Sequence, residues 1–75
     1  MYQRKIKIYA EGNNAIYRMA YIIGKEKGGK LAIWKDAPYI HFAIQGVSFW
    51  WHALAIDMKW LEQVINVLKE LFKGE

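Results

Sequence analysis

Residues 50–73 read Trp50-Trp51-His52-Ala53-Leu54-Ala55-Ile56-Asp57-Met58-Lys59-Trp60-Leu61-Glu62-Gln63-Val64-Ile65-Asn66-Val67-Leu68-Lys69-Glu70-Leu71-Phe72-Lys73, and the apolar spacing changes in the middle. Trp50 to Ile56 alternates in part and reads as a strand. From Met58 onward the period becomes that of a helix, with Leu61, Val64, Ile65, Leu68, Leu71 and Phe72 on one apolar stripe. Asp57 stands at the junction, where a short acceptor side chain serves as N-cap. Glu62 in the first turns and Lys73 in the last suit the helix dipole, and Gly74 is a C-terminal stop. Trp60 and Val67 lie beside the stripe and widen it, which implies that the helix touches more than its own sheet.

Reading back toward the N-terminus, Gly46-Val47-Ser48 breaks a strand predicted over Tyr39–Gln45. Asp36-Ala37-Pro38 is a turn after a strand over Leu31–Lys35. Lys27-Gly28-Gly29-Lys30 is a hairpin turn, since paired glycines supply positive φ. Ala15–Lys25 is a strand, Glu11-Gly12-Asn13-Asn14 a turn cluster, and Gln3–Tyr9 a strand of clean alternation. Such short connections imply antiparallel neighbours. The predicted class is α+β: an antiparallel four- to five-stranded sheet followed by one C-terminal amphipathic helix, in a single domain over residues 1–75.

Composition narrows the function. The 75 residues include no cysteine, so no disulfide supports the small core. His41 and His52 are by themselves too few for a structural zinc site. Self-association is the remaining common support, and a content of 55% hydrophobic residues fits it. A homodimer or higher homo-oligomer is therefore expected. Ala37–Ile56 carries no formal charge, but Pro38, His41, Gln45, Gly46, Ser48 and His52 and its partial alternation argue against a membrane span. Met1-Tyr2-Gln3-Arg4-Lys5 has no apolar segment after its charges, and together with the lack of cysteine this points to the cytoplasm. Abundant Lys and Ile with a single Pro would also suit a thermophile.

The net charge is +4, and the excess lies before residue 57, where eight Lys and Arg face three acids. Four Trp, five Tyr and three Phe are more rings than so small a core holds. Alternation sorts the strands into two faces. One carries Ile6, Ile8, Tyr17, Met19, Tyr21, Ile23, Leu31, Ile33, Ile40, Phe42, Ile44, Leu54 and Ile56, the natural surface for the helix to cover. The other carries Lys5, Lys7, Tyr9, Arg18, Ala20, Ala32, Trp34, Tyr39, His41, Ala43, Trp51, Ala53 and Ala55.

That second face suggests a partner. Single-stranded nucleic acid is bound by aromatic platforms for bases beside cations for phosphates. Tyr9, Trp34, Tyr39 and Trp51 are candidate platforms; Lys5, Lys7, Arg18, Lys30 and Lys35 are candidate phosphate partners. Two structural readings compete. Tyr favours strands and Lys protects sheet edges whatever the function. The alanines would equally admit a second subunit, making the face an assembly surface. Of Trp50 and Trp51, adjacent on one strand, at most one serves the core. Lys27–Lys30 lacks the following helix of a phosphate loop. No pair of acids suggests acid–base or two-metal chemistry, and Ser48 is the only serine. A non-enzymatic protein without catalytic residues, metal or cofactor is expected.

Lys30-Leu31-Ala32-Ile33-Trp34-Lys35-Asp36, Pro38-Tyr39-Ile40-His41-Phe42-Ala43-Ile44, and Ala53-Leu54-Ala55-Ile56-Asp57 running into the helix together resemble the transcriptional coactivator family of the positive-cofactor-four type. The plan is also similar to that of the Whirly proteins and the ThermoDBP-like single-strand binders. The resemblance spans roughly residues 15–73 and is one of pattern. It implies four antiparallel strands and a helix, a dimer, and single-stranded DNA on the sheet side. The strand over Gln3–Tyr9 is additional to that plan. Phe49-Trp50-Trp51-His52 stands where the family's last strand begins with a basic, glycine-containing stretch, consistent with a binder that leans on stacking. The expected function is binding of single-stranded nucleic acid, DNA ahead of RNA, with little sequence preference. The alternative is a homo-oligomeric interaction module whose aromatic face is buried between subunits.

Overall fold

The computed structural model describes residues 2–10, 14–24 and 29–74. Five strands, β1 (Gln3–Tyr9), β2 (Ala15–Ile23), β3 (Leu31–Asp36), β4 (Tyr39–Gln45) and β5 (Trp50–Asp57), precede a 3₁₀ turn (Met58–Trp60) and one helix, α1 (Leu61–Lys73). The predicted order of strands and then helix is what is found. The predicted turns at Glu11–Asn14 and Lys27–Lys30 fall largely on residues 11–13 and 25–28, outside the described residues. Of the second turn, Gly29 is described, and it has φ 102°.

The sheet is closed, which corrects the expectation of an open antiparallel one. The strands form a barrel in the order β1-β2-β3-β4-β5, consecutive strands antiparallel. A meander with an odd number of strands ends in the direction it began, so β1 and β5 meet in parallel. They are joined only through Ile8 opposite Trp50 and Tyr9 opposite Trp51.

Closure decides which residues are inside. Side chains must fill the interior of so small a barrel, often with small and large residues alternating to fit its taper. The interior here is Ile6, Ile8, Ala20, Ile22, Ala32, Trp34, Ala43 and Trp50, with Ile16 packed against it. Ala20, Ala32 and Ala43 come from three successive strands and leave the room that Trp34 and Trp50 occupy. The division into faces is corrected accordingly. Ile6 and Ile8 are core as expected, but Tyr17, Met19, Tyr21, Ile23, Ile44 and Leu54 are exposed on the barrel's outside. Trp34, expected as an open stacking platform, is only 4% exposed.

A bulge corrects β5 as well. His52 pairs with Ala43 and Leu54 with Phe42, so Ala53 is an extra residue and the pairing shifts between Phe42 and Ala43. Trp51 is therefore opposite Ile44 and shares the outer surface with Leu54, although strict alternation puts these two on opposite faces.

Asp57 caps the 3₁₀ turn, its carboxylate accepting from the Lys59 backbone N–H at 3.0 Å. The α-helix proper starts at Leu61, three residues after the predicted start. It lies near the outer face of β3–β5 without covering it: no α1 side chain is buried. A gap of about 330 Å³ separates Val64 and Leu68 from Leu31, Phe42, Ile44 and Leu54.

Candidate nucleic-acid interface

The parallel junction of β1 and β5 gathers rings on the outer surface. Tyr9 meets Phe49 edge-on with centroids 4.6 Å apart, and Phe49 meets Trp51 in the same manner at 4.8 Å. Tyr9 and Trp51, paired across the junction, are 6.2 Å apart. Trp51 is 47% exposed, so much of its ring is open. Its position depends on Gly46, whose N–H donates to the Phe49 carbonyl at 2.7 Å. A Cβ at Gly46 would come within 2.9 Å of that carbonyl and 3.0 Å of the Trp51 indole nitrogen, so only glycine lets the loop and the ring lie this close.

Cations border these rings. The Lys7 ammonium lies 5.2 Å from the Tyr9 ring centroid and that of Lys5 lies 5.7 Å from the Tyr17 centroid. Lys7 is directly opposite Tyr17 in the β1–β2 register. The hydrogen bond to Tyr9, then the electrostatic influence of Tyr9 and Tyr17, raises the Lys7 pKa above its ordinary value. No carboxylate among the described residues forms an ion pair with Lys5 or Lys7.

The nine candidate residues thus separate into groups. Lys5, Lys7, Tyr9 and Trp51 share the outer β1–β5 surface. Lys35 is also exposed, on the outer side of β3 opposite Ile40, and Lys30 is exposed just before β3. Arg18 is half-buried and engaged, donating to the Tyr17 carbonyl at 2.9 Å and lying 3.8 Å from the Asp36 carboxylate. Tyr39 is exposed, its ring edge-on to His41 at 6.2 Å. Tyr17 and Phe49 belong to the surface, yet alternation alone assigns Tyr17 to the core and Phe49 no role. Cross-strand pairing with Lys7 marks Tyr17, and that pairing is visible only once the register is known.

A second cluster occupies the barrel interior. Trp34 stacks on His41 with rings 5.2 Å apart and 9° from parallel. His41 Nδ1 and His52 Nε2 are 2.9 Å apart, so one ring donates its N–H to the other. Burial, then the charge of His52, then that of Arg18, hold the His41 pKa below the ordinary imidazole value, against an opposing influence from Asp36. The buried Trp34 Nε1–H has no hydrogen-bond partner among the described residues. Among those residues no three His, Asp or Glu side chains are grouped to hold a metal ion, and no helix is long and apolar enough to cross a membrane.

Comparison of the chain with models of known protein families, with curated proteins and with solved structures finds no match.

Proposed function

We propose that this protein is a non-enzymatic binder of single-stranded nucleic acid, acting in the cytoplasm as a self-associated assembly, with DNA the first ligand to test. The reading rests on one arrangement: the exposed Trp51 ring, braced by Tyr9 and Phe49, shares the outer surface with Lys7, which borders Tyr9, and Lys5, which borders Tyr17, and no carboxylate among the described residues pairs either cation. A base stacks on the ring while the ammonium groups follow the phosphates, and neither contact depends on base identity. Little sequence preference follows. Lys35 and Lys30 extend the positive charge around the barrel. Trp34, being buried, has no part in contact with the ligand.

The test is anisotropy of a labelled single-stranded oligonucleotide, with its duplex as control. Trp51→Ala is expected to lose roughly 1–3 kcal/mol of single-strand affinity, the usual worth of one stacked base. Single-strand binding that is absent from the wild type, or equal in Trp51→Ala, would overturn the proposal. The assembly reading has its own observation in the bare apolar side of α1, and it concerns a different surface.

A further inference from the structure

We propose that α1 pairs with α1 of a second copy of this chain, antiparallel about a two-fold axis, along the seam Leu61, Ile65, Leu68 and Phe72. This deepens the self-association proposed above and is independent of the nucleic-acid ligand.

The monomer leaves too much surface uncovered. A folded chain of 8.8 kDa is expected to expose about 4,800 Å², whereas this one exposes 5890 Å². Its radius of gyration is 13.4 Å, against about 11 Å for a compact domain of this length. The excess area is on the order of the 800 Å² per partner that a standard interface buries.

The helix is where a partner is missing. A helix of 13 residues is at the length where isolated helices are marginal in water and depend on packing. Yet Ile65 is 49%, Leu68 58% and Phe72 80% exposed. Around the helix axis, Trp60, Val64, Val67 and Leu71 adjoin Leu61, Ile65, Leu68 and Phe72 in one apolar arc of about 160°, wider than the roughly 100° needed to face a single core. Val64 turns toward the chain's own sheet, and Leu68 lies on the border between that side and the opposite flank. A groove of about 370 Å³ runs along the other flank, bounded by Ile65, Leu68, Lys69, Phe72 and Lys73.

The spacing of the seam identifies its occupant. Leu61, Ile65, Leu68 and Phe72 are separated by four, three and four residues, the d-a-d-a spacing of a helix that packs on another helix. The flanking e positions are Glu62 and Lys69, of opposite sign. Running one helix backward against its copy sets this edge beside itself, so Glu62 of each copy meets Lys69 of the other. The g positions are Val64 and Leu71, an apolar edge suited to the sheet side. A parallel pair would instead set Lys69 beside Val64 and leave Glu62 opposite no residue of the partner helix, so that neither charge meets its opposite. The same chain therefore supplies both halves of a self-complementary interface.

Sedimentation equilibrium at micromolar concentration tests this. The wild type is expected at twice the monomer mass. Glu62→Lys or Lys69→Glu alone places like charges together twice and should weaken the dimer by about tenfold, given the modest worth of each exposed pair. An equimolar mixture of these two variants should form a heterodimer tighter than either homodimer. Phe72→Lys should yield a monomer whose strands are retained, since that ring is 80% exposed and covers nothing of the barrel. A wild-type monomer would overturn both this proposal and self-association, and would leave the α1 seam to a different protein. A dimer indifferent to both charge changes, with no preference in the mixture, would overturn the antiparallel helix pair and leave self-association standing. Neither outcome bears on oligonucleotide affinity, which is measured separately.

Discussion

Trp34 and Trp51 carry the same side chain into opposite physical situations. Trp34 fills space that Ala20, Ala32 and Ala43 leave inside the barrel, and Trp51 lies across Gly46 with much of its ring in solvent. Removing the first leaves a cavity in a narrow core. Trp34→Ala should cost about 3–5 kcal/mol of stability in a denaturant melt, while the molecules that remain folded bind oligonucleotide as before. Loss of oligonucleotide affinity without loss of stability would contradict its place in the core. The histidines beside it make a different prediction. In the His41–His52 pair only one nitrogen of the two in contact can carry a proton, so a doubly protonated pair is repelled. His41 binds its proton less tightly in the folded chain than in the unfolded one. Its contribution is then complete above the ordinary imidazole pKa, about 6.5, and is lost as pH falls through the lower folded value. The groups facing it are His52, Tyr39, Arg18 and Asp36. Stability should fall as pH is lowered below about 6.5 in the wild type, and less in His41→Phe, which keeps the stacking on Trp34 without the titration. Equal losses in the two proteins would exclude the pair as the cause.

Elements were far more legible in the sequence than their packing. Alternation between turn residues placed β1, β4 and the start of β5, because strand spacing and glycine or proline punctuation are local properties. The change of period at Asp57 marked the helix for the same reason. Which parity faces inward was not local. Tyr17, Met19, Tyr21 and Ile23 form a bulkier and less charged set than Ile16, Arg18, Ala20 and Ile22, and an open sheet would bury the bulkier set. Closure reverses the choice, since a five-stranded barrel has room for alanine where an open sheet packs Tyr and Met. The bulge at Ala53 is equally invisible, as it depends on the pairing of β4 with β5. Lys5, Lys7, Tyr9 and Trp51 lie outside under either assignment. Two predictions belong at this scale. Replacing Lys5 and Lys7 by Gln should flatten the salt dependence of single-strand binding by up to about 0.7 in log–log slope for each phosphate no longer neutralised. An unaltered slope would take β1 out of the interface. Gly46→Ala should weaken binding although Gly46 itself touches no ligand, because the β4–β5 loop can no longer bring Phe49 and Trp51 together. Wild-type affinity in that variant would mean that the ring cluster is not what holds the oligonucleotide.

At the scale of the molecule, small interior and large exterior are one fact seen from two sides. A barrel that accepts alanines inside must place its remaining apolar side chains outside, and here they extend across β2–β5 through Met19, Tyr21, Ile23, Ile44 and Leu54. About half of each of these side chains remains in water, and that part stabilises the fold only once something covers it; full burial of such a side chain is worth roughly 1.5–3 kcal/mol. The chain has neither disulfide nor a long enough α1 to provide that cover itself. If a second copy covers the apolar side of α1, the folded state includes association, and the stability of the fold depends on protomer concentration by mass action. The midpoint of thermal unfolding should then rise steadily as the concentration is raised across the micromolar range. The rise should vanish in Phe72→Lys, whose midpoint should equal that of the wild type at high dilution. A cover supplied from within the chain predicts a different result: a single midpoint at every concentration, lowered by the substitution only as far as a solvent-exposed ring matters, which is hardly at all. The two outcomes separate a barrel that is finished by its own copy from one that is complete alone.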